Sequence, residues 1–426
     1  MNFIKKWGSV ALMFATVACS DSDFTESDPP TDPDPQPGTD ESIVDLSRDE
    51  MANCYIVRQA GTYKFKADNQ FNLGEGLPVP PTIHPANAAL VWQTSKGSIS
   101  SVELIDADSE PYIKFEVEDP QGNALICATD NSGEIVWSWH IWMPAVDIYS
   151  VTSASGYEVM NLNLGAIDNR AGSASAYGML YHWGRKDPFP ASASLTGNTS
   201  TVGAPLYDID NNSVSIGYSS WSSLTSNTLP YAIANPTTVL SNYAQYATSR
   251  DWLRSEFSDD SLWGNPQGDQ RDSESNTYPN SGRKTCYDPS PAGWRVAPAD
   301  AFRHFTTTGG YVWTFDDINL FDSNNDGLIS LDDYNYGWEF MVSDENSLFF
   351  PAASRYDGSY AMLMGSMAGY WGNYWSNAPY SGINGGAFCC LSFQVKDTNL
   401  KDVISASASA GASRADAFSI RCIRDL

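Results

Sequence analysis

The chain has 426 residues and 42% hydrophobic content, enough to bury more than one sizeable core. A formal charge of −27 excludes nucleic acid as a partner, because a phosphate backbone needs a clustered basic face that this composition lacks. Abundant Gly, Pro, Ser and Asn, a 13% aromatic share with 14 Trp, and no long helical repeat predict a β-rich, loop-rich fold.

At the N-terminus, Lys5 and Lys6 precede an apolar run from Val10 to Ala18 that is too short to span a bilayer as a mature helix. The small residues Ala15, Thr16 and Ala18 lead into Cys19. This arrangement resembles a bacterial lipoprotein signal, in which 1–18 is removed and Cys19 is lipidated; Thr16 stands where an aliphatic residue is usual, and ordinary secretion is the alternative. The acidic stretch Ser20-Asp21-Ser22-Asp23 is similar to the tags that send lipoproteins of Bacteroidetes-type bacteria outward. It implies a protein anchored by lipid to the outer membrane and facing the cell exterior. Residues 19–42 are rich in Asp, Pro, Ser and Thr with no Lys or Arg, which predicts a stiff, extended stalk.

Residues 43–146 read as an all-β sandwich. Tyr55-Ile56-Val57, Thr62–Lys66 and Ile113–Val117 alternate apolar with polar, as half-buried strands do, and Gly61 separates the first two as a hairpin would. Asp130-Asn131-Ser132-Gly133 is a turn between Ala124–Thr129 and Ile135–Trp142. The latter strand, IVWSWHIW, is apolar on both faces, which places it centrally in its sheet. Cys54 and Cys127 lie on strands and are either a disulfide pair or two buried thiols. His140, among tryptophans, reads as a core histidine.

From 147 to 426 the pattern is short strands and long Ser/Asn/Gly loops, with helices expected over Asp251–Phe257 and Ala299–His304 and a loop-rich insertion over 190–280. The most specific chemistry lies at 322–334, DSNNDGLISLDDY. Asp322, Asn324, Asp326, Ser330 and Asp333 occupy positions 1, 3, 5, 9 and 12 of an EF-hand-type calcium loop. Gly327 supplies the turn at position 6, Leu328 offers a backbone carbonyl at position 7, and Ile329 points inward. A hard cation needs this alternation, since the curled chain then presents every second residue to one point. A sensor would need a helix on each side that swings on binding, and Gly309-Gly310 and Gly337 leave room for a turn or so. A fixed structural Ca2+ clamp fits better, with Asp rather than Glu at position 12 setting a modest affinity.

Five blocks carry a family resemblance: Met179–Phe189 (MLYHWGRKDPF), Tyr287–Val296 (YDPSPAGWRV), Phe349–Ala353, Tyr374–Asn377 and Ile420–Ile423. In this order they resemble the Fibrobacter succinogenes major paralogous domain family, over most of 150–426. The family implies an α+β fold of C-type-lectin-like kind, related to formylglycine-generating enzymes, and no defined activity. The N-terminal part is similar to modules of surface lipoproteins in gut Bacteroidetes, several of them linked to fimbrial or adhesive structures. The family has a cysteine where this chain has Ser290, expected to meet Cys422; the resemblance therefore leaves Cys286, four residues earlier, as a substitute partner.

Catalytic signatures are missing. None of His84, His140, His182 and His304 sits in HExxH, and no GxSxG, P-loop or dinucleotide fingerprint occurs. Asp259-Asp260 and Asp316-Asp317 are sequence neighbours, which does not set an acid and a base across a cleft. Cys389-Cys390 sits in an apolar strand and reads as buried structural thiols, or as one disulfide partner with one free thiol, rather than as a catalytic pair. Trp371, Tyr374, Trp375 and Tyr380 cluster among Gly and Asn. Trp375 reads as core, while Trp371 and Tyr380 are candidates for stacking on a ligand. The expected function is adhesion or ligand capture at the cell surface, without catalysis, as a fimbrial tip or accessory subunit. Its partners would be a glycan, a host or bacterial surface ligand, or fimbrial subunits. The alternative is a glycan-binding accessory lipoprotein of a nutrient-uptake system, with a carbohydrate-active enzyme third.

Overall fold

The structure, a computed structural model, describes residues 43–197, 202–219, 227–241, 250–254, 257–267, 282–309, 315–360, 362–380, 386–394 and 410–425. Cys19 and the signal and stalk segments lie outside these residues, as do the side chains of Cys389 and Cys390.

Alternation decides the first layer. In Gly61–Lys66, Tyr63 and Phe65 turn inward, and in Glu110–Val117 so do Ile113, Phe115 and Val117. With Ile43–Asp45 and Ile99–Ala107 these strands form a four-stranded sheet, in the order Ile43–Asp45, Gly61–Lys66, Glu110–Val117, Ile99–Ala107. A six-stranded sheet faces it, ordered Ser213–Val214, Leu206–Tyr207, Asn87–Gln93, Gly122–Thr129, Ile135–Met143, Cys54–Ile56. Ala124, Ile126, Trp137, Trp139 and Ile141 project from this second sheet onto the aromatics of the first. The Phe65 ring lies 5.2 Å from Trp139 and 4.9 Å from Tyr55. Each such buried side chain contributes roughly 1.5–3 kcal/mol of transfer free energy, so this sandwich core is the main stabilising element of the first layers.

The two-faced strand Ile135–Met143 is flanked on both sides, by Gly122–Thr129 and Cys54–Ile56, and is buried on both faces. Its other face, with Leu125 and Trp142, packs on a second core containing Leu162, Tyr181, Trp183, Trp294 and Trp375. Gly61 does not sit in a hairpin. Cys54–Ile56 runs parallel to Ile135–Met143, whereas Gly61–Lys66 pairs with Glu110–Val117 in the other sheet. The chain crosses between layers there, with Gly61 at a φ of 152°.

Two further sheets follow. One is ordered Trp294–Val296, Arg421–Arg424, Glu158–Asn163, Ser150–Thr152. The main path of the other is Phe189–Pro190, Met179–His182, Ala417–Ser419, Trp371–Tyr380, Gly386–Gln394, Ala410–Ser413. Helix is sparse among the described residues: one six-residue α-helix, Leu229–Ala234, and short 3-10 turns. The helix expected at Ala299–His304 is a 3-10 segment, Ala299–Phe305. The one expected from Asp251 is not helical over 251–254. There the Asp251 carboxylate accepts from the Leu253 N–H at 3.0 Å and pairs with Arg414 at 3.2 Å, a local side-chain turn that replaces the helical hydrogen bond. The result is a β-rich fold with few helices.

The sheets are riveted by a buried ion cluster from the GRKDP motif. Asp187 accepts from Lys186 Nζ at 2.6 Å, Arg185 Nε at 3.1 Å and Ser138 Oγ at 2.7 Å. Arg185 also donates to the carbonyls of Thr238, Ala232 and Asn235, tying the helix Leu229–Ala234 to the sheets. Burial works to raise the Asp187 pKa, but Lys186 and Arg185 outweigh it and hold the carboxyl below its usual range.

The expected border at 146/147 falls inside one compact unit, Ser42–Leu426. Tyr207 pairs with Gln93 of the sandwich sheet, and the Asn53 amide donates to the carbonyls of Cys286 at 2.7 Å and Asp288 at 2.9 Å.

Candidate functional site

The calcium-type loop hangs from a hairpin, Gly337–Met341 with Ser347–Pro351. Its entry is an extended segment: Leu320 bridges Phe340, and the Phe321 N–H donates to the Glu339 carbonyl at 2.9 Å. Its exit is the single 3-10 turn Leu331–Asp333, capped by Ser330, whose hydroxyl accepts from the Asp332 N–H at 3.1 Å. An extended entry and a one-turn exit leave no helix pair to swing. Asn325 (φ 58°) and Gly327 (φ 85°) take left-handed conformations and wind the loop. Ile329 turns onto the hairpin core with Leu331 and Tyr334, while Leu328 is exposed.

Side-chain oxygens line the inside of this winding. The two Asp322 oxygens accept from the N–H groups of Asp326 at 3.3 Å and Gly327 at 2.8 Å. Asn324 Oδ1 accepts from the same Asp326 N–H at 2.9 Å, and Asp326 Oδ1 from Leu328 N–H at 2.9 Å. Asp333 does something the spacing did not foretell. Its Oδ1 accepts from the backbone of Ser323 at 2.9 Å and Asn324 at 3.1 Å, and its Oδ2 from Ser330 N–H at 2.8 Å. Burial pushes this carboxyl up, but the donors of Ser330, Asn324 and Ser323 outweigh it and hold it below its ordinary range. Asp333 thus staples the two ends of the loop together.

The residue kinds and the winding suit a calcium ion; the reach is narrower than the spacing predicts. With Oδ1 of Asp333 saturated by backbone donors, only Oδ2 keeps a free lone pair. No group of three or more His, Cys, Asp or Glu closes on one metal-holding point among the described residues. An ion here would rely on Asp322, Asp326, the Asn324 and Ser330 oxygens and the Leu328 carbonyl, with one oxygen of Asp333.

Trp371 and Tyr380 begin and end one strand, Trp371–Tyr380. At about 3.3 Å per residue they stand roughly 30 Å apart, so they do not form one platform. Tyr380 is half-buried, its ring lying across Gly411, where an added Cβ would come within 2.3 Å of it. Trp375 is core, its ring stacked 4.2 Å from Phe418. Trp371 is different. The Arg355 guanidinium lies 4.6 Å from its ring centroid, and that arginine also contacts Asp357 at 3.1 Å and Asp416 at 3.4 Å. The hairpin Tyr356–Asp357 with Met362–Leu363 follows Arg355 directly, and Tyr370 precedes Trp371; on these segments Tyr360, Met362 and Tyr370 are 68%, 46% and 42% exposed. Burial raises Asp416 to a pKa of about 6, against the opposing pull of Arg355. Sequence reading missed Arg355, Asp357 and Asp416, because nothing in ASRYDG marks it as the neighbour of Asp416.

One constellation has the form of a nucleophile set. Cys54 Sγ lies 3.5 Å from His140 Nδ1, and His140 Nε2 lies 2.8 Å from Asn123 Oδ1. It is sealed: the three residues are 0%, 1% and 3% exposed. Burial drives the Cys54 thiol well above its ordinary value and His140 down to about 3, so a thiolate–imidazolium pair does not form. His140 is a core histidine, also 3.3 Å from the Tyr181 hydroxyl.

The four described cysteines are free and buried. Cys54 and Cys127 do not pair. They lie on strands separated by Ile135–Met143, about 10 Å apart across the sheet and beyond the roughly 7 Å Cα limit for a disulfide. Nor do Cys286 and Cys422. Cys286 Sγ meets the Pro78 carbonyl at 3.5 Å, whereas Cys422 Sγ meets Ser290 Oγ at 3.2 Å. Ser290 therefore stands at the position from which a cysteine would reach Cys422, and Cys286 does not replace it.

No protein-family model matches the chain, and no curated protein or solved structure matches it either.

Proposed function

We propose that the chain is a surface lipoprotein, anchored to the outer membrane through Cys19 and facing the cell exterior. It captures ligands or mediates adhesion, as a fimbrial tip or accessory subunit, and does not act by catalysis. The observation that carries the reading is the exposure of Tyr360, Met362 and Tyr370 on the segments that adjoin the Arg355–Trp371 stack in the chain. Contiguous exposed apolar side chains rimmed by charge mark an interaction surface. Exposed aromatic rings suit a sugar, whose apolar face stacks on them while its hydroxyls find polar groups at the rim.

The loop 322–334 holds one structural calcium in this reading. The ion would add charge neutralisation to a loop that Asp333 already closes, and its base reaches the capture surface through the Tyr334 hydroxyl, which donates to the Gly369 carbonyl at 2.8 Å. Residues 147–426 are taken as lectin-like; pairing of Arg421–Arg424 with Glu158–Asn163 brings the two ends of that segment together.

A glycan array probed with the mature chain tests this. Saturable binding to a defined glycan, lost in Tyr360→Ala and Trp371→Ala, supports capture. No glycan binding together with co-purifying pilin subunits would place the work in assembly. Hydrolysis of any bound glycan would overturn the non-enzymatic reading.

A further inference from the structure

A second site lies elsewhere on the molecule. A cleft of about 300 Å³ is lined by Ser155, Arg303, His304, Thr306, Thr307 and Thr308, none of which belongs to the calcium-type loop or the Trp371 surface. Its distinguishing feature is Arg303. Among the described residues its guanidinium makes no hydrogen bond, and its one ion pair is to Asp300 at 4.0 Å. The half-buried Arg303 thus turns a planar fork of N–H donors toward the cleft, whereas the buried Arg185 and Arg421 each bond three or more oxygens.

Asp300 makes only this long contact with the guanidinium. It is 8% exposed, its Oδ1 has no hydrogen-bond partner, and burial pushes its carboxyl above the ordinary range against the pull of Arg303. The other acids nearby are committed: Asp344 contacts His304 at 3.4 Å, and Asp317 accepts from the Thr307 hydroxyl at 3.2 Å. Gly309 holds the arginine in place by lacking a side chain. It adopts a φ of 67°, and an added Cβ would stand 2.8 Å from Arg303 Cγ and 2.9 Å from Nε.

We propose that this cleft binds the carboxylate of an acidic sugar, with Arg303 gripping both carboxylate oxygens and the Thr and Ser hydroxyls meeting the sugar hydroxyls. A planar carboxylate matches the guanidinium fork in two parallel hydrogen bonds, a geometry that a phosphate also reaches and a neutral sugar does not, so phosphate is the competitor the test includes. The choice of a sugar acid rests on the capture reading above; the site itself does not.

The test is calorimetric titration of the mature chain with glucuronate, glucose and inorganic phosphate. Glucuronate should bind saturably, at least tenfold tighter than glucose or phosphate. Arg303→Gln should weaken it at least tenfold with an unchanged melting temperature. Gly309→Ala, which displaces the arginine without removing it, should also weaken it. Absence of saturable glucuronate binding overturns the site, as does binding unchanged in both variants. Phosphate binding as tightly as glucuronate overturns the carboxylate assignment. Each result is independent of the glycan array, because Tyr360→Ala and Trp371→Ala leave this cleft intact.

Discussion

The serine opposite Cys422 offers the sharpest test of the fold. Ser290 Oγ and Cys422 Sγ are 3.2 Å apart in a fully buried setting, one on the loop before Trp294–Val296 and the other on the strand Arg421–Arg424. Ser290→Cys should therefore form a disulfide in air. The bridge would close a loop spanning a sequence separation of 132 residues. Loop-closure entropy for that length gives about 5 kcal/mol of stabilisation at 25 °C, before any strain. A unit the size of Ser42–Leu426 melts with an entropy of about 0.8 kcal/mol per kelvin, so the midpoint should rise by about 6 °C. Thiol titration of the denatured variant reads formation of the bridge, and melting with and without reductant reads its effect. Ser290→Ala is the control and should lose about 1 kcal/mol with no response to reductant. One free thiol more than wild type in the air-exposed variant, where a bridge would give one fewer, or a rise that survives reduction, would refute the placement of these strands.

Three further outcomes follow from the same geometry. Asp322→Ala with Asp326→Ala should lower the melting temperature in calcium to the level seen with chelator. At 1 mM calcium and a Kd near 10⁻⁴ M the loss is about 1.4 kcal/mol, and wild-type melting indifferent to calcium removes the ion from the loop. Asp187→Asn leaves Lys186 and Arg185 buried without their counter-ion and should cost about 3–5 kcal/mol by denaturant titration; a loss under 1 kcal/mol contradicts the buried cluster. Asp416, with a folded pKa of about 6 against an ordinary 3.8, binds its proton more tightly when folded, so its contribution is fully present below about pH 4 and lost as pH rises through 6. Relative to wild type, Asp416→Asn should gain about 3 kcal/mol between pH 4 and pH 7, and a pH-independent difference would refute the burial.

What the sequence reveals is local periodicity, and what it hides is partnership. Alternation locates Gly61–Lys66 and Glu110–Val117 within three residues of their observed ends, because a strand with one wet face must alternate, and the unbroken apolar run after a turn locates the two-faced strand Ile135–Met143. The same rule passes over Asn87–Gln93 and Ile99–Ala107, whose alternation is blurred by half-buried positions on both faces. It also mistakes the Gly61 crossing for a hairpin, since a glycine between two strands is silent about which sheet each joins. Cys54, Asn123 and His140 meet only because their strands are neighbours in one sheet, and Arg303 lies in the space that Gly309 leaves by lacking a side chain.

The calcium-type loop shows how spacing can be legible while roles are not. Positions 1, 3, 5, 9 and 12 identify which oxygens face inward, and the winding through Asn325 and Gly327 agrees with that. Spacing does not say what those oxygens bind. Asp333 is short enough to reach back to the N–H groups of Ser323 and Asn324 while its second oxygen caps Ser330. A glutamate, one methylene longer, would place its carboxylate past those donors and toward the loop centre. Asp at position 12 therefore exchanges bidentate metal reach for a backbone staple, and two consequences go together: the loop holds its shape without an ion, and a calcium ion in it would be held less tightly. Asp333→Glu separates them, tightening calcium binding by calorimetry while lowering the melting temperature measured in chelator.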